Sequence, residues 1–301
     1  MEKRTDLALE VQESIQEKDV EIPGVVLKKY RKKGVQVTYV AIENKEGEAS
    51  MGKPMGTYVT LEFQDEDGEA DIAGCHGEKV LSDTMEKFVT EYMDMKDFHG
   101  RTLVVGLGNR LATPDSLGPH VIENVAITNH LIEYFGEEYK KEHDLNGLSA
   151  LAPGVMAQTG METSAILKGV VDRTKPELVV IIDSLAARSV HRLGTTVQLT
   201  DTGIHPGAGI GNERNPLNKE FLGVPVLCVG VPTVVDAGTI VGDCMEEALQ
   251  GQGFSESEIS SFIDGLGVER FQDLFVTPGN IDSLIGDMGN CIADAVSKVF
   301  S

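Results

Sequence analysis

Two aspartates occupy positions from which a water-driven hydrolysis could be assembled. Asp115 lies in the turn GLGNRLATPDSLGP after the apolar run RTLVV, and Asp183 directly follows Val179, Val180, Ile181 and Ile182. Open parallel sheets bind ligands in the crevice beyond the carboxyl ends of their strands. That rule selects these two places and a third, the segment VPTVVDAG at 231–238. A carboxylate after such a run is expected to be partly or fully buried at a strand end, where it must be paired, hydrogen-bonded or used. Arg188, five residues on, is one expected structural partner. Asp115 also has a plainer reading, as the N-cap of the helix after the Pro114–Asp115 pair. If neighbouring strand ends bring the two acids together, both cannot ionise easily. One keeps a proton while the other stays negative. The ionised member then takes a proton from water, and the protonated member polarises a peptide carbonyl.

Other chemistries are less complete. Gly106 and Gly108 begin a dinucleotide-like turn, but Leu111 stands where a third glycine belongs and the loop is too long. The glycines read better as a tight exit from the strand that carries Asp115 across the sheet. No G-x-S-x-G elbow is present. Cys75, Cys228, Cys244 and Cys291 form no C-x-x-C pair, and Cys75-His76 has no second close pair to complete a zinc site. Cys228, in VPVLCVGVP, reads as a small buried hydrophobe. Asp201 and His205 sit in the Gly-rich stretch DTGIHPGAGIGNERN, where His205 either shapes the cleft or is structural. Joint binding of a divalent metal by Asp115, Asp183 and His205 stays open as an alternative. The primary reading needs no metal and no cofactor.

The rest of the chain must position these groups. Its 301 residues carry 26 basic against 48 acidic side chains, a formal charge of −22. Nucleic-acid binding needs clustered Lys and Arg. The one basic group, Lys28, Lys29, Arg31, Lys32 and Lys33, reads as a solvated strand edge or turn. A basic or neutral peptide substrate suits the charge better. No apolar run approaches a membrane span, and MEKRTDLALE lacks a secretory h-region, so a cytoplasmic protein with reduced thiols is expected.

Residues 1–22 are charged and peripheral. The segment at about 23–75 is β-rich: GVVLKKY and VQVTYVAIE flank the turn RKKG, GTYVTLEF follows, and QDEDGEADIAG at 64–74 is a loop. Helical spacing predicts a helix over about 78–97. From about 100 to 301, strands alternate with helices: RTLVVGLGN, a helix over 119–135, ELVVIIDSLAARS, VPVLCVGVPTVVDAG and a final helix over 280–300. Continuous Val/Ile/Leu runs bounded by turns demand a sheet covered on both faces. The fold class is α/β, with a mainly parallel central sheet flanked by helices and an N-terminal β-rich segment. No linker divides the chain.

RTDLALE, at 4–10, raises a separate question. Asp6 could cap a helix on which Leu7, Val11 and Ile15 share one face, but no Glu or Gln stands three places after Thr5 or Asp6 to complete a capping box.

Together, VVGLGNRLATPDSLGP, SALAPGVMAQTGMETSAILKGVV, IIDSLAARS, DTGIHPGAGIGN and VPTVVDA resemble the germination proteases of spore-forming bacteria. The likeness runs from RTDLALE to VTPGNIDSLIGDMGN, nearly the whole chain. It implies a fold similar to that of the hydrogenase-maturation proteases and an atypical aspartic endopeptidase that begins the degradation of small acid-soluble spore proteins at germination. The family's two essential aspartates match Asp115 and Asp183. A self-processing zymogen, a homo-oligomer (typically a tetramer) and a place in the forespore and spore core are also implied. The family cuts after an acid and before an apolar residue followed by Ala, in a motif similar to Thr-Glu-Ile-Ala-Ser-Glu. RTDLALE is similar to that motif, which makes residues 1–6 a propeptide, Asp6–Leu7 the processing bond and residues 7–301 one peptidase domain. The leader is shorter than in well-known members, and the connection from VPTVVDA to VTPGNID is more compact. Three alternatives come from other classes. A metal-dependent peptidase of the hydrogenase-maturation type is one, and an inert nucleotide-regulated binding protein is another. A peptidyl-tRNA hydrolase also opens with VGLGN, but RLATPDSLGP departs from its continuation.

Overall fold

The structure, a computed structural model, describes residues 5–16, 22–63, 72, 76–205, 215–265, 271 and 274–301. Strands β1 (Val25–Lys32) and β2 (Val35–Ile42) form an antiparallel hairpin. Its two-residue turn, Lys33 and Gly34, has φ of 52° and 88°, as a turn matched to strand twist requires. β3 (Gly56–Glu62) adds antiparallel to β2. The later strands are β4 (Thr102–Gly106), β5 (Leu148–Leu151), β6 (Leu178–Ala187), β7 (Thr196–Thr200), β8 (Val226–Asp236) and β9 (Phe275–Val276). Among the described residues, nine strands join one sheet in the order β1-β2-β3-β7-β8-β6-β4-β5, with β9 on the end of β8. β5, β4, β6 and β8 run parallel and form its core. β7 is antiparallel to both β8 and β3, so the N-terminal β-rich segment continues the same sheet.

The helices, in chain order, begin with α1 (Ala8–Gln16), α2 (Lys45–Met51), α3 (Gly77–Lys87), α4 (Leu117–Asn124), α5 (Asn129–Phe135) and α6 (Glu137–Glu142). They continue with α7 (Met156–Thr159), α8 (Thr163–Thr174), α9 (Lys219–Leu222), α10 (Ala237–Gln250), α11 (Glu256–Gly265) and α12 (Ile281–Phe300). Side chains alternate across a strand. Leu178, Val180 and Ile182 of β6 therefore join Val80, Leu117, Ile285 and Ile292 in one large core beneath α3, α4 and α12. Val179 and Ile181 face the other way, under Leu167 and Val171 of α8 and Leu222 of α9. Farther along that second face, Ala8 of α1 packs with Val40, Ile42, Met51 and Tyr58.

Two expected boundaries move. The helix expected over 78–97 is α3 extended by a π-helical turn, Phe88–Tyr92, and stops there. The helix expected over 119–135 is two, α4 and α5. They part at 125–128, where the Ala126 N–H turns to Ser297 Oγ at 2.9 Å. The final helix is α12, with Ile281, Ile285, Met288, Ile292 and Val296 buried. The basic group lies on edge strand β1 and, at Lys33, in the turn after it; Lys32 meets Asp83 at 3.2 Å. The acidic stretch at 64–74, apart from Ile72, and Cys75 lie outside the described residues. Among the described residues, no helix is long and apolar enough to cross a membrane.

Candidate active site

Both aspartates are placed by an early stop in one strand. β4 ends at Gly106, opposite Ile182, while β6 and β8 run on. A last link from the Leu107 N–H to the Ile182 carbonyl spans 2.8 Å, and Asp183 is the next residue of β6. The strand does not end at this acid, as the sequence suggested, but continues to Ala187.

The chain leaving β4 returns through a short 3₁₀ turn, Thr113–Asp115. There the Asn109 N–H is shared between the backbone oxygen and Oδ2 of Asp115, each at 2.9 Å. Gly108 has φ of 113°, and a Cβ there would lie 2.0 Å from the Asp115 carbonyl oxygen. Only glycine permits this approach. The N-cap position of α4 is Ser116, not Asp115, which removes the capping reading.

Asp183 is 8% exposed and accepts the Ser184 N–H at Oδ1, 2.9 Å away. Burial raises its pKa well above the carboxylate range. The charge of Asp115 raises it further, the Ser184 bond opposes the shift, and Asp6 adds a smaller push upward. The structure thus brings Asp115 and Asp183 to act on one another. The expected partner Arg188 turns instead to Asp243, with Nε and Nη2 each 3.1 Å from a carboxylate oxygen.

Asp115 and Asp183 line a cavity of about 830 Å³ whose walls include Lys53, Tyr58, Gln198, Thr200, His205, Cys228 and Thr233. Gly230 stands in register between Asp183 on β6 and Gln198 on β7, and the Leu185 side chain fills the space a Cβ there would take. Ser184 and Thr233 lie in the wall, and their buried hydroxyl oxygens lack hydrogen-bond partners among the described residues. Cys228 is buried as expected, and burial pushes its thiol pKa up, away from nucleophilic thiolate. Asp201 accepts the Thr57 N–H at 2.8 Å and ties β3 to the loop after β7; burial raises its pKa. Among the described residues, no three His, Cys, Asp or Glu side chains cluster to hold a metal ion. Asp115, Asp183 and His205 therefore do not form the three-ligand set held open above. Residues 206–214 of the Gly-rich stretch lie outside the described residues.

The N-terminal segment enters the same cavity. Asp6 extends the free edge of β6: its N–H donates to the Ala186 carbonyl at 2.9 Å, and its Oδ2 accepts the Ala186 N–H at 2.8 Å. Lys53 Nζ donates to the Thr5 carbonyl at 2.9 Å. The Gln198 amide brackets the Asp6–Leu7 peptide, donating to the Asp6 carbonyl at 3.2 Å and accepting the Ala8 N–H at 2.8 Å. Leu7 is fully buried among Leu185, Ala187, Leu193 and Val235. Burial raises the Asp6 pKa, with Lys53 and the Ala186 bond opposing; burial lowers that of Lys53, with Asp6 and Glu10 opposing. Asp6 is not the helix cap. Thr5 Oγ1 accepts the Leu7 N–H at 3.0 Å and contacts Glu10 Oε2. These contacts begin ahead of α1 and are not a capping box, since Glu10 accepts the Thr5 hydroxyl and not the Thr5 backbone N–H. Lys53 and Gln198 escaped the sequence reading because a lone Lys in a loop and a lone Gln in a strand carry no spacing signal.

A family model described as germination protease matches residues 2–261. A germination protease of Caldanaerobacter subterraneus subsp. tengcongensis is 42% identical over 98% of this chain and 93% of its own length. That of Clostridium tetani is 38% identical over 100% and 94%, and one from Bacillus cereus is 43% identical over 98% and 92%. A NiFe hydrogenase maturation protease from Thermococcus kodakarensis aligns over 71% of this chain and 98% of its own, at 16% identity and a TM-score of 0.34. That overlap is too loose to support any argument about chemistry.

Proposed function

The chain belongs to the germination protease family, the proteases of spore germination, and from that premise we propose an endopeptidase that works through the Asp115–Asp183 pair. The observation that carries this reading is the coupling of Asp115 to a buried Asp183 in a cavity that also holds Asp6. Burial makes Asp183 the protonated member. The Asp115 carboxylate, part-buried and tethered to Asn109, takes a proton from water while the Asp183 hydroxyl polarises the peptide carbonyl. The water oxygen bonds to the carbonyl carbon, the C–N bond breaks, and the proton passes to the leaving amine.

The same premise supports small acid-soluble spore proteins as substrates, cut after an acid and before an apolar residue. It also supports a zymogen processed between Asp6 and Leu7. The Asp6–Leu7 peptide lies in the cavity with its acid on β6 and its leucine in an apolar pocket. Residues 1–6 are then a propeptide and 7–301 one peptidase domain. One apolar cluster that joins Val35 and Leu61 of the β-rich part to Val104 and Leu227 of the parallel part supports this division. A homotetramer in the forespore and spore core completes the proposal; light scattering tests the assembly.

The deciding experiment is incubation with a purified small acid-soluble spore protein and mass mapping of the fragments. Cuts at acid–apolar bonds are expected, falling by about a thousandfold in Asp115→Asn and Asp183→Asn. Scattered cuts, or undiminished cutting by both variants, would overturn the assignment. N-terminal sequencing after activation is expected to begin at Leu7.

A further inference from the structure

Beyond the aspartate pair, we propose that Gln198 is a catalytic residue, whose side-chain amide donates to the carbonyl oxygen of the bond being cut and stabilises the charge that gathers there. The inference rests on the reading of Asp6–Leu7 as the processing bond and adds a group to that same site. Gln198 Nε2 lies 3.2 Å from the Asp6 carbonyl oxygen, and its Oε1 accepts the Ala8 N–H at 2.8 Å. A carbonyl only accepts and a backbone N–H only donates, so these two partners leave the amide a single orientation.

The sheet sets this aim. Val197 and Leu199 of β7 point into the large apolar core, so alternation turns Gln198 to the opposite face, where the cavity lies. Thr60 of β3 flanks it on one side and Gly230 of β8 on the other. Leu185 packs over Gly230 and, with Leu193 and Val235, forms the apolar pocket that seats Leu7. Gln198 is only 5% exposed. Among the described residues, its side-chain hydrogen bonds go to residues 6 and 8 alone. Departure of those residues strands a buried amide, and a peptide laid along the same path satisfies it again. Helix capping accounts for the acceptor half of this contact, because Ala8 opens α1 and its N–H has no intrahelical partner. It gives no reason for a donor on the Asp6 carbonyl.

The chemistry asks for a group of this kind. Water adds to the Asp6 carbonyl carbon while Asp115 takes its proton, and the C=O electron pair moves onto oxygen. Asp183 is one donor to that oxygen and Gln198 the second. The C–N bond then breaks, and the proton held by Asp115 passes to the Leu7 nitrogen. Donors already aimed at a developing oxyanion cost no rearrangement when the charge appears. An amide also stays neutral at every working pH. A cation so placed would favour ionisation of both aspartates and release their shared proton.

The first test is self-processing of the full chain, in which the bond is already seated and substrate binding sets no limit. Gln198→Leu is expected to slow the appearance of the Leu7 terminus by about a hundredfold. In Gln198→Glu, a protonated carboxyl can donate and a carboxylate cannot. Its rate relative to wild type at the same pH is expected to recover as pH falls, while the Gln198→Leu ratio stays flat. A wild-type rate in Gln198→Leu, or equal loss in both variants at every pH, would overturn the role and leave the protease reading intact. A second test needs no variant and stands even where these do not fold. Activated wild type is given two peptides that share one acid–apolar bond. In one of them an ester replaces the amide after the apolar residue and removes the N–H that corresponds to Ala8. The ester is expected to lower kcat/KM by about tenfold; equal values would overturn the Gln198 contact. Failure of the wild type to cut at Asp6–Leu7 or in either peptide would overturn the protease reading and the inference with it.

Discussion

Ile182 and Asp183 are neighbours on β6, yet Ile182 is sealed in an apolar core while Asp183 is a carboxylate in a cavity wall. The contrast extends across the sheet. Beneath α3, α4 and α12, one apolar cluster runs unbroken from β2 to β6. On the opposite face, the apolar residues fall into three smaller clusters, and the cavity lies beside them with Gln198, Thr200, Cys228 and Gly230 in its wall. Strand alternation lets a single run of sequence serve both purposes. One face carries stability and the other carries polar groups that stability alone would not select.

This division can be broken at several points. The largest effect on stability is expected on the sealed face. Phe88→Ala removes a fully buried ring and should lower the unfolding free energy by about 3–5 kcal/mol in a denaturant titration. Thr200→Val, in the cavity wall, should cost only about 1 kcal/mol. Comparable losses would erase the distinction. Gly108→Ala forces a side chain to within 2.0 Å of the Asp115 carbonyl oxygen; the displaced Asp115 should lower kcat about a hundredfold, far out of proportion to the loss of stability.

A subtler contrast lies in pH. Because the folded-state pKa of Asp183 is raised, the stabilisation this group supplies is complete below the ordinary carboxylate range. It is lost as pH rises through the raised value. Asp183→Asn, which does not titrate, should therefore be more stable than the wild type at neutral pH, with the gap narrowing as the solution is acidified. A gap that is constant or widens in acid would show that Asp183 is not held protonated. The smallest effect is expected at the leader: Thr5→Val removes the acceptor for the Leu7 N–H and should loosen α1 by about 1 kcal/mol, read as faster amide exchange confined to that helix.

Much of this was legible in the sequence for physical reasons. Long apolar runs such as LVVIID betray buried parallel strands, and Val/Thr/Tyr alternation betrays the hairpin, because burial on two faces or one leaves different periodicities. Asp183 stood out because an acid beside such a run is costly unless it has a task, and Asp115 because its turn leaves the end of another such run. What remained hidden is tertiary. β5 and β7 have only four and five residues and no distinct pattern. The break between α4 and α5 depends on Ser297, far along the chain. Asp183 looked like a strand end because polarity rises there, but β6 continues along β8 after β4 has stopped. The seats for residues 5–10 come from β6, β7, the loop at Lys53 and the turn at Arg192. No local pattern marks residues that meet only in the fold.

The central claim is that one proton is shared between Asp115 and Asp183, and a carboxyl-carbon NMR titration of aspartate-labelled protein addresses it directly. The Asp183 carboxyl is predicted to titrate well above the usual carboxylate range in the wild type, and to move down, while staying raised by burial, in Asp115→Asn. An Asp183 that titrates in the ordinary range and ignores the loss of Asp115 would contradict the account.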